Sequence, residues 1–188
     1  MSNPTAAILI IGDEILSGRT QDTNTRFLAA ELTKAGIELR EVRVVPDEPD
    51  AIIGAINALR HANDVVFTSG GIGPTHDDIT ADAIAAAFDV DIDVRADALA
   101  ILEERHKVMG ITINPARLRM ARIPDGATLI ENPVSGAPGF KLDNVHVLAG
   151  VPSIFQAMVA SVLPGLNGGA PLVSRSVRIN RGEGDIAG

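Results

Sequence analysis

The sequence predicts an α/β fold, a mainly parallel sheet with helices on both faces. Short continuous apolar runs occur at Ala6 to Ile11 and Val65 to Phe67, each cut off by polar residues and glycine, as strands buried on both faces read. Segments with apolar residues at helical spacing alternate with such runs, giving the order β-α-β-α-β-loop-α. The 188 residues are 46% hydrophobic and 21% charged, which supplies one core and excludes disorder.

Ala6 to Ile11 is the first strand, closed by Gly12. Polar residues from Thr20 to Asn24 lead into Phe27, Leu28, Leu32 and Ala35 at helical spacing, and Gly36 takes the place of a helix-terminating glycine. Ile37 to Val45 alternates with one slip of phase near Arg40-Glu41, so a second, bulged strand is expected. Pro49 opens a segment in which Ile52, Ile53, Ile56 and Leu59 form one stripe, predicting a helix to about His61. Val65-Val66-Phe67 is the third strand. A glycine-rich loop from Thr68 follows, and Thr80 is expected to cap an alanine-rich helix ending near Phe88.

The second half is less regular. Asp97 to Met109 reads as a helix with Leu99, Leu102 and Met109 inward, and Asn114-Pro115 opens a short helix through Met120. Pro124-Asp125-Gly126 is a turn and Ala127 to Ile130 a short strand. Residues 140–142 and 145–148 flank Asp143-Asn144 as a two-residue hairpin, which brings antiparallel character. Ser153 and Gln156 have capping-box spacing, predicting a helix from Ser153 to about Leu163, with a loop from Gly165 to Pro171. Val173 to Asn180 alternates as a final strand, and residues 182–188 carry nothing to cover it, as in a chain cut short of its natural end. The expected organisation is one domain over 1–170 with a C-terminal strand and tail over 171–188.

Composition excludes several function classes. Sixteen Lys and Arg against 24 Asp and Glu give a net charge of −8, the wrong sign for a phosphate backbone, so no nucleic-acid partner is expected. With no cysteine, disulfides, thiolate metal ligation and a cysteine nucleophile are all absent. No run approaches the ~18 apolar residues of a membrane span, and no basic leader precedes the first strand, so a cytoplasmic protein without membrane attachment is expected.

The chemistry concentrates in Thr68-Ser69-Gly70-Gly71-Ile72-Gly73-Pro74-Thr75-His76-Asp77-Asp78-Ile79-Thr80. Glycines let backbone N–H groups approach an anion, and the helix behind adds positive potential, which makes Ser69, Gly70, Gly71, Gly73, Pro74 and Thr75 candidates for phosphate binding. The spacing matches neither a Walker loop nor a Rossmann fingerprint. Carboxylates beside an anion site need a cation between them, and Mg²⁺ takes one or two carboxylates plus substrate phosphates. Asp77 and Asp78 are therefore candidate metal ligands and catalytic residues. The competing reading makes one of them a helix cap, and it stands level for Asp77.

In a parallel sheet, Gly12-Asp13-Glu14 after the first strand lies on the same rim, offering Gly12, Asp13 and Glu14 for ligand hydroxyl or metal contacts. Asp22 reads as a helix cap, whereas Asn24 stays open to ligand. The turns Gly136-Ala137-Pro138-Gly139-Phe140 and Gly150-Val151-Pro152-Ser153 read equally as turn chemistry or as binding elements, which brings in Gly136, Pro138, Gly139, Gly150, Pro152 and Ser153. Among the histidines only His76 falls in a candidate site, where it is placed for acid or base assistance.

These motifs together, with Gly12-Asp13-Glu14-Ile15-Leu16-Ser17-Gly18 and Thr23-Asn24 at their head, resemble the molybdopterin-binding (MoaB/Mog) superfamily, specifically the N-terminal domain of the CinA proteins. The stretch from Gly12 to Asn24 is also similar to the molybdopterin-binding-like domain of eukaryotic FAD synthases. The resemblance spans about Ile8 to Leu163. It implies a three-layer α/β/α sandwich with a mixed sheet, a homo-oligomer (dimer or trimer), and a cleft framed by Gly70, Gly71, Gly73 and the Gly-x-Pro turns. It also implies a functional role for Asp78. The adenylyltransferases of the superfamily show an arginine before a single aspartate where this chain has Gly-Pro-Thr-His-Asp-Asp, so that activity is the less favoured alternative. The CinA-like branch implies divalent-metal-dependent cleavage of a nucleotide diphosphate of the ADP-ribose or FAD type, that is, a pyrophosphatase. A binding module holding molybdopterin or a nucleotide without turnover is the other alternative. Nothing in the sequence matches the deamidase domain of CinA proteins, and deamidase activity is not expected.

Overall fold

Residues 2–110 and 112–171 are described by a computed structural model, without the side chain of Met109. Because no polar side chain interrupts Ala6 to Ile11, β1 (Thr5–Ile11) sits inside a six-stranded sheet rather than at its edge. A single turn, α1 (Asp13–Leu16), follows it, then α2 (Asn24–Lys34), which ends at Ala35 and at Gly36 with φ +69°. Strand β2 (Glu38–Val45) pairs parallel with β1. Ala6 lies beside Leu39 and Ala7 beside Glu41, so Arg40 is the extra residue behind the slip of phase. Helix α3 (Pro49–Ala62) starts on its proline and buries Ile52, Ala55, Ile56 and Leu59.

Strand β3 (Val65–Ser69) extends two residues past the expected end. Thr68 and Ser69 pair with Leu9 and Ile10 on one side and with Val147 and Leu148 on the other, so they belong to the sheet and not to the loop. Helix α4 (Thr80–Phe88) forms as expected, but Thr80 does not cap it. Its hydroxyl donates to the Gly70 carbonyl at 3.0 Å, because the loop doubles back over the helix start. Strand β4 (Ile92–Val94) precedes α5 (Ala96–Met109), α6 (Pro115–Leu118), a 3-10 turn at Arg119–Ala121 and β5 (Arg122–Pro124).

Ala98 and Leu102 form the buried face of α5 and Leu99 is half-buried, while the expected inward side chain of Met109 lies outside the described residues. Asn114 caps α6 through its Oδ1, which accepts the Arg117 N–H at 2.9 Å. The helix expected through Met120 tightens after Leu118 instead. Strands β4 and β5 form a separate antiparallel pair, and three residues each are too few for a period-two pattern to show.

Strand β6 (Thr128–Ile130), β7 (Gly139–Leu142) and β8 (Val145–Leu148) complete the main sheet in the order β2-β1-β3-β8-β7-β6. The first four are mutually parallel, and β7 and β6 run antiparallel after a hairpin whose Asp143 takes φ +51°. Helix α7 (Pro152–Val162) begins one residue before the expected Ser153. Pro152 occupies the first helical position and Val151 the cap, so the Ser153 capping box does not form. A 3-10 turn (Leu163–Gly165) follows, and residues 166–171 form the expected loop. The final strand expected over 173–180 lies outside the described residues.

The pleat of β1 sends Ala7, Leu9 and Ile11 to one face, against α3 and α4, and Ala6, Ile8 and Ile10 to the other, against α2 and α7. Two cores result, one containing Ile52, Ile56, Leu59 and Ile84, the other Leu28, Leu32, Phe67 and Phe155. Each such side chain withdrawn from water contributes about 1.5–3 kcal/mol. The three-layer α/β/α sandwich with a mixed, mainly parallel sheet is thus present. Among the described residues no helix is long and apolar enough to cross a membrane.

Candidate functional site

Parallel pairing of β2, β1, β3 and β8 places the loops after all four strands on one rim. A cleft of about 430 Å³ opens there. Its floor is the glycine loop, with Gly70, Gly71, Gly73 and Pro74. Its walls come from Gly12 and Glu14 after β1, Asp47 after β2, Gly150 and Val151 after β8, and Asn132, Ser135 and Ala137 before β7.

The floor is held by backbone contacts that require glycine. Gly70 has φ +112°, and a Cβ there would collide with the Ile11 carbonyl oxygen. Gly71 has φ +71°, and a Cβ would collide with the Thr80 hydroxyl. The Gly70 N–H donates to Leu148 O at 3.2 Å, and Gly71 O accepts from the Thr80 N–H at 2.9 Å, which closes the loop over the start of α4.

Asp78 shapes the outer half of the loop. Its Oδ2 accepts the Thr75 N–H at 2.8 Å and the Thr75 hydroxyl, so Thr75 acts through Asp78 and neither aspartate caps α4. Asp77 is exposed on the cleft edge, and the His76 side chain points fully into solvent, away from any acid or base partner at hydrogen-bond distance.

Glu14, Asp47, Asp77 and Asp78 all line the same cleft. Burial pushes the Asp47 carboxyl above its usual range, and the neighbouring carboxylates of Asp13, Glu14 and Asp77 push it the same way. The Asp13 N–H that Asp47 Oδ2 accepts at 3.0 Å opposes this shift. Among the described residues no group of three or more His, Asp or Glu is gathered closely enough to hold a metal ion unaided.

A smaller recess of about 60 Å³ joins the cleft at Glu14 and Gly150, lined by Asn24, Ser69 and Pro152. Buried Asn24 donates its amide to Ser69 Oγ at 2.9 Å and to Gly150 O at 2.8 Å, leaving its Oδ1 without a partner. Asp22 closes the start of α2, as expected, accepting the N–H groups of Asn24 at 2.9 Å and Thr25 at 3.3 Å.

The structure therefore gathers Gly12, Glu14, Asn24, Ser69, Gly150 and Pro152 with the glycine loop and its two aspartates. Pro138 lines only a third recess, behind the loop. Asp13 does not line the cleft; its N–H donates to Asp47 and its carboxylate acts on Asp47 through space. Gly136 lies close against the Arg105 side chain and Gly139 against Val147 and Met158, and neither lines these three spaces; Ser153 is exposed on α7 outside them as well. Asp47 and Asn132 were not among the sequence candidates. The rim rule that selected Glu14 after β1 applies equally to Asp47 after β2, whereas Asn132 carries no comparable signal. It holds its own turn, accepting the Val134 and Ser135 N–H groups and donating to Ser135 Oγ and Ala137 O.

A glycine loop opening onto a helix at the carboxyl ends of parallel strands defines an α/β protein whose rim has the architecture that suits an anion. Within that class the chain belongs to the molybdopterin-binding domain family: residues 7–168 match the family described as "Probable molybdopterin binding domain", and within it the chain is CinA-like. The CinA structure from Thermoplasma acidophilum superposes with a TM-score of 0.79 at 36% identity, covering 86% of this chain and 98% of that one. A Pyrobaculum arsenaticum protein is 40% identical, with 97% of this chain matched to 72% of its length. One from Metallosphaera sedula is 38% identical, with 85% of this chain matched to 62% of its length, so the chain spans only part of these relatives. The molybdopterin biosynthesis enzyme MoaB of Thermus thermophilus, at 21% identity and a TM-score of 0.56 over 87% of this chain and 91% of that one, shares the fold.

Proposed function

We propose that the cleft binds a small phosphorylated ligand, a pterin or a nucleotide, and that the protein hydrolyses a nucleotide diphosphate of the ADP-ribose or FAD type with a divalent metal. One observation carries this reading: a glycine loop and four carboxylates share one cleft. Carboxylates and phosphate repel each other unless a cation lies between them. The donor set is all oxygen, which suits Mg²⁺ or Mn²⁺. Burial chiefly, with the neighbouring carboxylates adding to it, raises the Asp47 carboxyl.

Asp77 and Asp78 would hold the ion together with the ligand's phosphates, and the ion would offset charge developing on the phosphate oxygens. The amides of Gly71, Ile72 and Gly73, which the loop's own hydrogen bonds leave free, would orient the diphosphate, and Glu14 and Asp47 line the same cleft. Water attacks one phosphorus, its oxygen forms the new P–O bond, the bridging P–O bond breaks, and two monophosphates leave. Asp47 is suited to take the water's proton, because its surroundings favour the protonated carboxyl. A homo-oligomer, dimer or trimer, is part of the same proposal and is read by sedimentation.

The test is incubation with FAD, ADP-ribose and ATP, with and without Mg²⁺, Mn²⁺ or Co²⁺, against an Asp78→Asn control. Metal-dependent cleavage lost in the control supports the hydrolase. No turnover with any pair, alongside retained ligand binding, assigns a molybdopterin- or nucleotide-binding module instead, the reading that the family's description favours.

A further inference from the structure

The cleft presents a charge problem. Among the described residues its lining includes four carboxylates and no lysine or arginine, and the segment from Gly70 to Thr80 contains neither. Behind the loop, a recess of about 20 Å³ shares Gly71, Ile72, Gly73, Asp78 and Met120 with the cleft, and Arg119 and Arg122 form its far wall. These two cations are in different states. Arg122 is committed to Asp82, with Nη1 on Oδ2 at 2.8 Å and Nη2 on Oδ1 at 2.7 Å. Arg119 has no carboxylate within ion-pair distance among the described residues. Its Nη2 donates at 3.3 Å to the Asp78 carbonyl, and its Nε–H is buried without a partner.

We propose that Arg119 is an anion-binding residue of this cleft, supplying from the 3-10 turn after α6 the positive charge that the glycine loop lacks. The proposal rests on the reading that the cleft takes a phosphorylated ligand. The size of the recess defines the contact. About 20 Å³ admits one oxygen-sized group and not a whole phosphate. The phosphorus therefore stays in the main cleft and one non-bridging oxygen points between Gly71 and Gly73 toward the guanidinium. A planar fork held by the Asp78 carbonyl keeps other N–H groups for that oxygen. The same tether links anion binding to the backbone of Asp78, so an occupied recess steadies the loop that carries the proposed metal ligands.

The experiment is calorimetric titration with Mg²⁺ present, using ADP, inorganic pyrophosphate and adenosine as probes, on the wild type, Arg119→Gln and Arg119→Lys. Gln keeps a donor for the Asp78 carbonyl and removes the charge, which separates anion binding from the tether. The expected result is about ten- to hundredfold weaker ADP and pyrophosphate binding in Arg119→Gln. Adenosine binding should not change, and Arg119→Lys should recover part of the loss. Unchanged ADP affinity in Arg119→Gln, or equal losses for ADP and adenosine, overturns the assignment and leaves Arg119 as a loop tether. A wild type that binds neither ADP nor pyrophosphate overturns the phosphorylated-ligand reading itself, and the assignment with it.

Discussion

Asn24 and Gly150, 126 residues apart, are joined by a 2.8 Å hydrogen bond from the Asn24 amide to the Gly150 carbonyl. The second amide hydrogen reaches Ser69 Oγ at 2.9 Å, so one buried side chain ties the start of α2 to the ends of β3 and β8. This clamp sets the separation of the glycine loop from the turn that faces it across the rim.

Replacing Asn24 by alanine removes both bonds, one to the part-buried Gly150 carbonyl and one to the buried Ser69 hydroxyl. The expected cost is about 1–3 kcal/mol, which for a domain of this size lowers the thermal midpoint by roughly 2–4 °C per kcal/mol. Calorimetry checks it. A midpoint unchanged within error would show that the clamp contributes nothing.

Asp47 makes stability depend on pH in a defined direction. Its folded pKa is raised, so the native state holds the proton more tightly than the unfolded chain does. Stability then falls as pH rises from the ordinary aspartate value of about 3.9 through the raised value, and the deficit persists at neutral pH. Asp47→Asn is expected to raise the midpoint at pH 7, with the gain vanishing below about pH 3.9. Paired melts at the two pH values test the sign, and a destabilised variant at pH 7 would contradict it.

The two roles of Asp78 separate by substitution. Asp78→Asn keeps an oxygen that accepts the Thr75 N–H, so the loop should fold with a loss under about 1 kcal/mol. Loss of the carboxylate charge should lower diphosphate cleavage by about a hundredfold or more. Asp78→Ala should lose both. Equal turnover in the wild type and Asp78→Asn would remove this carboxylate from the chemistry.

Two glycines make opposite predictions. Gly70→Ala places a Cβ on the Ile11 carbonyl at φ +112°, and the backbone there has no freedom to yield, so more than about 2 kcal/mol should be lost. Gly54 is exposed in α3, and a Cβ there would meet nothing within 4 Å, so alanine should gain about 0.5–1 kcal/mol. Urea denaturation of both variants reads the contrast.

A phosphorylated pterin or flavin carried by the purified protein should be visible directly. The chain has no Trp and no Tyr, so absorbance near 280 nm comes almost entirely from any bound chromophore. A spectrum carrying only the weak phenylalanine bands would argue against tight carriage.

Where the pattern was local, the sequence was legible. The apolar run of β1, the Pro49 start of α3, the Asp143-Asn144 hairpin and even the bulge at Arg40 follow from residues within a few positions of one another. Capping was misread where two local signals competed. Thr80 turned to Gly70 and Ser153 yielded to Pro152, because a hydroxyl takes the acceptor that the folded chain brings nearest.

Sequence alone determined the alternation of the main strands and helices, though not α1 or the short β4 and β5, together with the parallel rim that collects their loops and the glycine loop with its aspartates. Burial periodicity and glycine's backbone freedom are written in neighbouring residues, and they need no knowledge of distant ones. Tertiary structure decided which groups share the cleft. Asp47 joins Glu14 and Asp77, and Arg119 reaches Asp78 across 41 residues, only because strand order and helix packing bring their segments together. Electrostatic partners are chosen by distance through space, and no spacing along the chain encodes that distance.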